Sequence, residues 1–200
     1  MTGLRLFAVT LLPREGGATT PPEATCVRLR DLGALVKQVP YVAAEPANGD
    51  VDLHRRVVEQ AFVRGTVLPA PCGTVFRSAE QLRRWLDQNY IAISEGLHFV
   101  AGRCEGRVHM TVRANAAADE APALLAAECF RLLRRRAAAA LTVGRVDPGV
   151  LLTAAFLLER DGWTGFAEDV ERLERRHEAL VLNVTGPWPP YDFVRLDFGV

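Results

Sequence analysis

The sequence predicts an α+β protein of two domains, a small N-terminal α/β unit over residues 1–105 and a C-terminal ferredoxin-like split βαβ domain over residues 106–200. Two observations carry that reading. From Gly106 onward the hydrophobic periodicity runs strand, helix, weak strand, strand, helix, strand, an order that lays two helices on one face of an antiparallel sheet. And 200 residues, 49% of them hydrophobic, suffice for one good core or two small ones.

The N-terminal half opens with a strand, Leu4 to Leu12, stopped by Pro13, and a Gly/Thr/Pro-rich loop over residues 14–25. Extended pieces follow at Cys26 to Arg30 and Ala34 to Val39. Pro40, Pro46 and Asn48-Gly49 mark another loop. A helix is predicted from Asp52 to Phe62, with Leu53, Val57, Ala61 and Phe62 on or beside its apolar stripe. Pro69 and Pro71 make residues 67–76 an extended or turning segment, because each removes a backbone donor and restricts its predecessor. Ser78 with Gln81 three residues on reads as an N-cap, with Leu82, Trp85 and Leu86 facing inward. A further helix is predicted from Asn89 to Phe99, leaving at Gly102.

In the C-terminal half, Gly106 to Arg113 alternates Val108, Met110 and Val112 against polar residues, the mark of a half-buried strand. Asp119 or Glu120 with Pro122 opens a helix expected to reach Ala140, with Leu125, Cys129, Leu132 and Arg136 on one flank. A weak strand at Leu141 to Arg145, a turn at Asp147-Pro148-Gly149 and a central strand from Val150 to Leu158 follow. The last helix starts near Thr164 or Gly165, with Phe166, Val170, Leu173, His177 and Leu180 spaced for its core face. Strands are expected at Ala179 to Thr185 and Asp192 to Phe198.

Composition narrows the function classes. Lys+Arg and Asp+Glu are 24 each, so the net charge is zero and a broad footprint for nucleic acid or an anionic surface is not expected. Lys37 is the sole lysine, and the arginine bias is what genomic base composition produces. The four cysteines, Cys26, Cys72, Cys104 and Cys129, form no C-x-x-C pair, and no histidine clusters beside them in sequence, so no metal site is predicted. No apolar run is long enough to span a membrane and the opening run lacks a cleavage signal, which predicts an intracellular, cytoplasmic protein.

Nothing in the sequence reads as a cofactor cradle: there is no G-x-x-x-x-G-K-[ST] loop, and the glycines are too widely spaced for a dinucleotide fingerprint. Cys72, in Pro71-Cys72-Gly73-Thr74, offers the start of a cysteine-nucleophile arrangement, with His98 or His109 as a base brought near by folding. The competing reading is a small side chain closing a turn. Glu168 to Glu178 interleaves with Arg172, Arg175 and Arg176 as a salt-bridged solvated face. Arg131 and Arg134-Arg135-Arg136 form a basic helix face without interleaved aromatics, so an acidic protein surface suits it better than nucleic acid. A generic adaptor using that face, or a small cysteine-dependent enzyme, are the alternatives carried forward.

The sharpest signal lies near the C-terminus. Thr185-Gly186-Pro187-Trp188-Pro189-Pro190-Tyr191, followed by Phe193, confines two aromatic residues between three prolines, which limits backbone freedom. The rings either cap the sheet or anchor a partner. This run resembles the C-terminal motif of the gas vesicle protein GvpL/GvpF family. Val67-Leu68-Pro69 with Gly73-Thr74-Val75-Phe76 resembles that family's central stretch. Ala154 to Leu158 resembles the strand before its last long helix, Leu6-Phe7-Ala8-Val9 its opening strand, and Gly102 and Glu105 the lead into its second domain. Ala70-Pro71-Cys72 departs from the family's usual Phe-Arg-Phe type insert, which suggests a divergent paralogue.

The resemblance implies a non-enzymatic gas vesicle accessory or minor structural protein that binds the very hydrophobic shell subunit, limits its aggregation, and assists nucleation and assembly of the vesicle beside other accessory proteins. It implies no cofactor, no nucleic acid partner and no membrane span. The partner-binding or fold-defining residues are expected to be Leu68, Pro69, Gly73, Thr74 and Phe76 in the central stretch. Gly186, Pro187, Trp188, Pro189, Pro190, Tyr191 and Phe193 are expected to serve the same role in the C-terminal motif.

Overall fold

A computed structural model describes residues 2–12, 20–41, 48–114, 121–144, 149–194 and 196. The chain forms two compact units, Met1–Ala101 with Pro189–Val200, and Gly102–Trp188. Residues 102–105 therefore open the second unit, and the chain from Pro189 onward belongs with the first.

In the first unit, β1 (Thr2–Leu11) is the organising strand. One of its edges pairs antiparallel with β3 (Leu32–Pro40), which also pairs with β2 (Thr25–Leu29). The other edge takes two short strands, β4 (Val67–Pro69) and β5 (Val75–Phe76), giving the order β2-β3-β1-β4 with β5 also on β1. The β2–β3 turn puts Arg30 at φ 53°, unusual for a residue with a Cβ. Its guanidinium pairs with Asp87 at 2.8 Å and lies over the Tyr90 ring, which holds the turn in place. Helices α1 (Asn48–Arg64), α2 (Ala79–Gln88) and α3 (Tyr90–Val100) complete the unit around Leu6, Phe7, Val57, Leu86 and Leu97, all 0% exposed.

The Ser78 cap forms as expected: its side chain accepts from the Gln81 N–H. Gln81 Oε1 accepts from the Arg77 N–H at 2.8 Å, one residue before the cap. The reciprocal half of the capping box is thus displaced outward by one position. Asn48-Gly49, read as loop punctuation, instead begins α1.

The second unit contains β6 (Arg103–Val112), α4 (Pro122–Arg134), β7 (Ala139–Thr142), β8 (Val150–Glu159), α5 (Trp163–Arg176) and β9 (Leu180–Trp188). Its sheet is antiparallel throughout, in the order β7-β8-β6-β9. With the β-α-β-β-α-β element order, that is the expected ferredoxin-like arrangement. Phe156, packed between Phe130 and Phe166 at ring separations of 5.8 and 5.1 Å, centres its core.

Several local expectations shift. The alanine run suggests a helix to Ala140, yet α4 ends at Arg134 and Ala139–Thr142 is strand. Hydrogen bonds from the Ala138 and Val143 N–H groups to the Leu157 and Thr153 carbonyls, both 2.8 Å, outweigh alanine's helix propensity there. The buried flank of α4 is Ala126, Cys129 and Leu133, so Leu125 and Leu132 are only half-buried. Helix α5 stops at Arg176. His177 forms the turn, its carbonyl accepting from the Leu180 N–H at 2.9 Å, and Leu180 belongs to β9. Asp192 and Phe193 are turn, not strand, while residues 195 and 197–200 lie outside the described residues. So do Asp119, Glu120, Arg145, Asp147 and Pro148.

Candidate functional site

The central stretch is a strap laid along β1. Ala70 N–H donates to the Phe7 carbonyl at 2.9 Å and Leu6 N–H donates to the Thr74 carbonyl at 2.9 Å, so the strap is hydrogen-bonded on both sides of its turn. Between them Thr74 Oγ1 donates to the Pro71 carbonyl at 2.8 Å, and Gly73 takes φ 92°. Leu68, Thr74 and Phe76 are buried, the Phe76 ring lying 5.6 Å from that of Trp85. Pro69 and Gly73 are half-buried. Of the five, Leu68, Thr74 and Phe76 are thus the ones packed into the unit's interior.

The C-terminal motif divides between the two units. Gly186, Pro187 and Trp188 end β9, with a cis Gly186–Pro187 bond. Gly186 has φ +139°, and a Cβ there would stand 2.8 Å from Trp163 Cη2 and 2.9 Å from the Glu105 carbonyl oxygen. Gly106 presses on the same indole: its Cβ would stand 2.8 Å from Trp163 Cζ3. The two glycines therefore make room for Trp163. Trp188 is 37% exposed, its Nε1 donating to Thr185 Oγ1 at 3.2 Å. Beyond it Pro189 and Pro190 are buried, and Tyr191 and Phe193 half-buried.

The two motifs approach one another within the first unit. A Cβ on Gly96 of α3 would lie 2.9 Å from Val194 Cγ1 and 3.1 Å from Leu68 Cδ1, so the residue after Phe193 and the core of the strap share one notch in the helix. Sequence reasoning missed Gly96, Trp163 and Val194. A glycine inside an otherwise apolar helix is the one local signal that marked the notch.

Cys72 is exposed at the tip of the strap, but its thiol pKa is pushed up by loss of surrounding water, with Arg5 pulling weakly the other way. A raised pKa disfavours the thiolate a nucleophile needs. Burial likewise pushes Cys104 and Cys129 up to about 11. No group of metal-ligating side chains occurs among the described residues. Arg131, Arg134 and Arg135 are exposed, while Arg136 pairs with Asp169 at 3.0 Å, which Arg172 also engages at 2.8 Å.

Beneath the strap lies a group that the periodicity did not single out. His54 is 4% exposed, packs against Phe7 at 5.6 Å, and neither ring nitrogen has a hydrogen bond of full geometry among the described residues. Burial lowers its pKa below the ordinary 6.5; the Ala70 backbone opposes that shift and the Arg5 charge reinforces it. The unfolded chain therefore binds the proton more readily, so stability falls as pH drops below about 6.5 towards the folded pKa. Urea midpoints at pH 7.5 and pH 5 are expected to show this loss, and His54→Phe is expected to reduce it. An unchanged pH dependence in the variant would count against the assignment.

Residues 6–125 and 113–195 match the family of gas vesicle synthesis proteins GvpL/GvpF. Gas vesicle protein F2 of Halobacterium salinarum is 25% identical over 191 residues, covering 92% of this chain and 85% of its own. Gas vesicle protein F of a Streptomyces species is 25% identical over 224 residues, covering 92% and 94%. The crystal structure of GvpF from an Anabaena species superimposes with a TM-score of 0.80 at 19% identity, covering 98% of both chains. That of GvpF from Microcystis aeruginosa gives 0.78 at 15%, covering 97% of this chain and 99% of the other. The fold is thus shared at very low identity, and with the family match spanning nearly the whole sequence, the chain belongs to the GvpL/GvpF family of gas vesicle proteins.

Proposed function

We propose that this chain is a non-enzymatic accessory or minor structural protein of the gas vesicle, acting in the cytoplasm, which binds the hydrophobic shell subunit and assists nucleation and assembly alongside other gas vesicle proteins. The observation that carries the proposal is Trp188. A large ring left 37% exposed, tethered through Nε1 to Thr185 and flanked by Pro187 and Pro189, loses little freedom when a partner covers it. Rigid, partly exposed aromatic residues of that kind dominate binding energy at protein interfaces. Of the twelve motif residues, Trp188 and Pro187 are the exposed ones, so a contact role falls to them first.

Capture of the shell subunit by immobilised protein tests this. Trp188→Ala is expected to weaken capture at least roughly tenfold, the scale of an interface hot spot, while thermal unfolding stays near wild type. Unchanged capture by a folded Trp188→Ala protein would overturn the contact role. The adaptor alternative rests on Arg131, Arg134 and Arg135, which are exposed and without ion pairs among the described residues. Capture that collapses between low and moderate salt would favour it, because exposed charges are screened and an apolar aromatic contact is not.

A further inference from the structure

The first unit's sheet ends on β2, whose outer edge no described strand pairs. Alongside it runs a groove of about 490 Å3. Register explains the floor of that groove: Thr25 pairs with Val36 and Leu6 with Val36, while Leu4 pairs with Gln38 and Val27 with Ala34, so Leu4, Thr25, Val27 and Val36 share one face of the sheet. Ala79, the first residue of α2, closes one side and Glu23 stands at the approach to β2. The Glu23 carboxylate has one oxygen, Oε2, shielded from solvent and without a hydrogen-bond partner among the described residues. A shielded acceptor without a donor is unfavourable and is relieved by whatever brings an N–H to it.

We infer that β2 and this groove form a docking site for an extended segment of a partner protein, apolar at alternate positions and carrying a basic residue that reaches Glu23. The edge, unpaired by any described strand, supplies main-chain donors and acceptors, which give such an added strand its affinity. Side chains two apart on that strand stand on the same face about 7 Å apart, so alternate residues enter the groove over Thr25 and Val27. Their volume suits the cavity: 490 Å3 admits a few aliphatic side chains. The basic residue follows from Glu23, since a charge-assisted bond from arginine or lysine satisfies the orphaned oxygen. Lys37 also borders the groove, but among the described residues it makes no ion pair with Glu23, so the orphaned oxygen is left for a partner's cation. This site shares no residue with the Trp188 contact and does not depend on the shell-binding proposal.

The test uses the full chain and two short fluorescent peptides, each alternating valine with serine, one ending in arginine and the other in glutamate. Fluorescence anisotropy is expected to show the arginine peptide binding roughly tenfold more tightly than the glutamate peptide. On Glu23→Lys the preference is expected to reverse. That swap cannot come from a folding defect, which would weaken both peptides together. Absence of binding by either peptide at millimolar concentration, or equal affinities on both proteins, would overturn the inference. Loss of shell-subunit capture in Trp188→Ala with peptide binding intact would show that the two sites act independently.

Discussion

Gly186→Ala is expected to lower the stability of the second unit by about 2–4 kcal/mol. Two terms add. At φ +139° an alanine is strained whatever space surrounds it, because that region is open mainly to glycine. Space is also lacking: the new methyl would sit 2.8 Å from the Trp163 ring and 2.9 Å from the Glu105 carbonyl oxygen. The ring can rotate away, but the carbonyl cannot easily follow. Glu105 is fully buried, its carboxylate takes the Arg107 Nε–H at 2.7 Å, and its strand is paired on both sides by β8 and β9. Urea unfolding followed by far-UV circular dichroism measures the loss. Gly162→Ala is the control, since no atom lies within 4 Å of a Cβ there, and it is expected to stay within about 0.5 kcal/mol of wild type. Equal midpoints for the two variants would mean that the β9 end is not packed as described.

That glycine illustrates which features could be read in advance. The order of elements in the second unit was legible because β6 and β8 alternate or run apolar over ten residues each, and tertiary structure left that pattern in place. The N-terminal topology was not. Its order depends on β1 receiving two- and three-residue strands along its second edge, and segments that short carry no periodicity. Helix ends were misplaced where local preference and pairing disagreed, as at Ala139, whose strand is recruited by β8 and not by its own sequence.

The candidate residues were legible as a group but not by role. Glycine, proline and aromatic content flagged both motifs, yet that content cannot separate a ring buried against Trp85 from one exposed at the end of β9. Burial makes the separation. Leu68, Thr74, Phe76, Pro189 and Pro190 are buried, so the role expected of them is to shape the fold. The notch at Gly96 depends on two residues more than 120 positions apart in sequence, Leu68 before α3 and Val194 after it, which no local window connects.

Phe76→Ala separates the two roles most sharply. Phe76 is 1% exposed, follows the turn that Thr74 closes, and stands opposite Leu4 in the sheet with its ring 5.6 Å from Trp85 at 51°. Truncating such a side chain removes its transfer energy and leaves a cavity, about 3–5 kcal/mol, enough to threaten a domain of marginal stability. Phe76→Leu keeps most of the volume and is expected to lose less than half as much. Differential scanning calorimetry of the full chain reads both losses, and capture of the shell subunit at 4 °C reads the contact. A fold-defining Phe76 predicts that capture follows the folded fraction, so that Phe76→Leu captures normally and any Phe76→Ala protein that remains folded does too. A Phe76→Ala protein as stable as wild type that captures nothing would reverse the assignment and put the ring in the interface. Trp188→Ala is expected to show the opposite pairing, stability largely kept and capture lost, because its ring is the most exposed of the aromatic side chains in the two motifs.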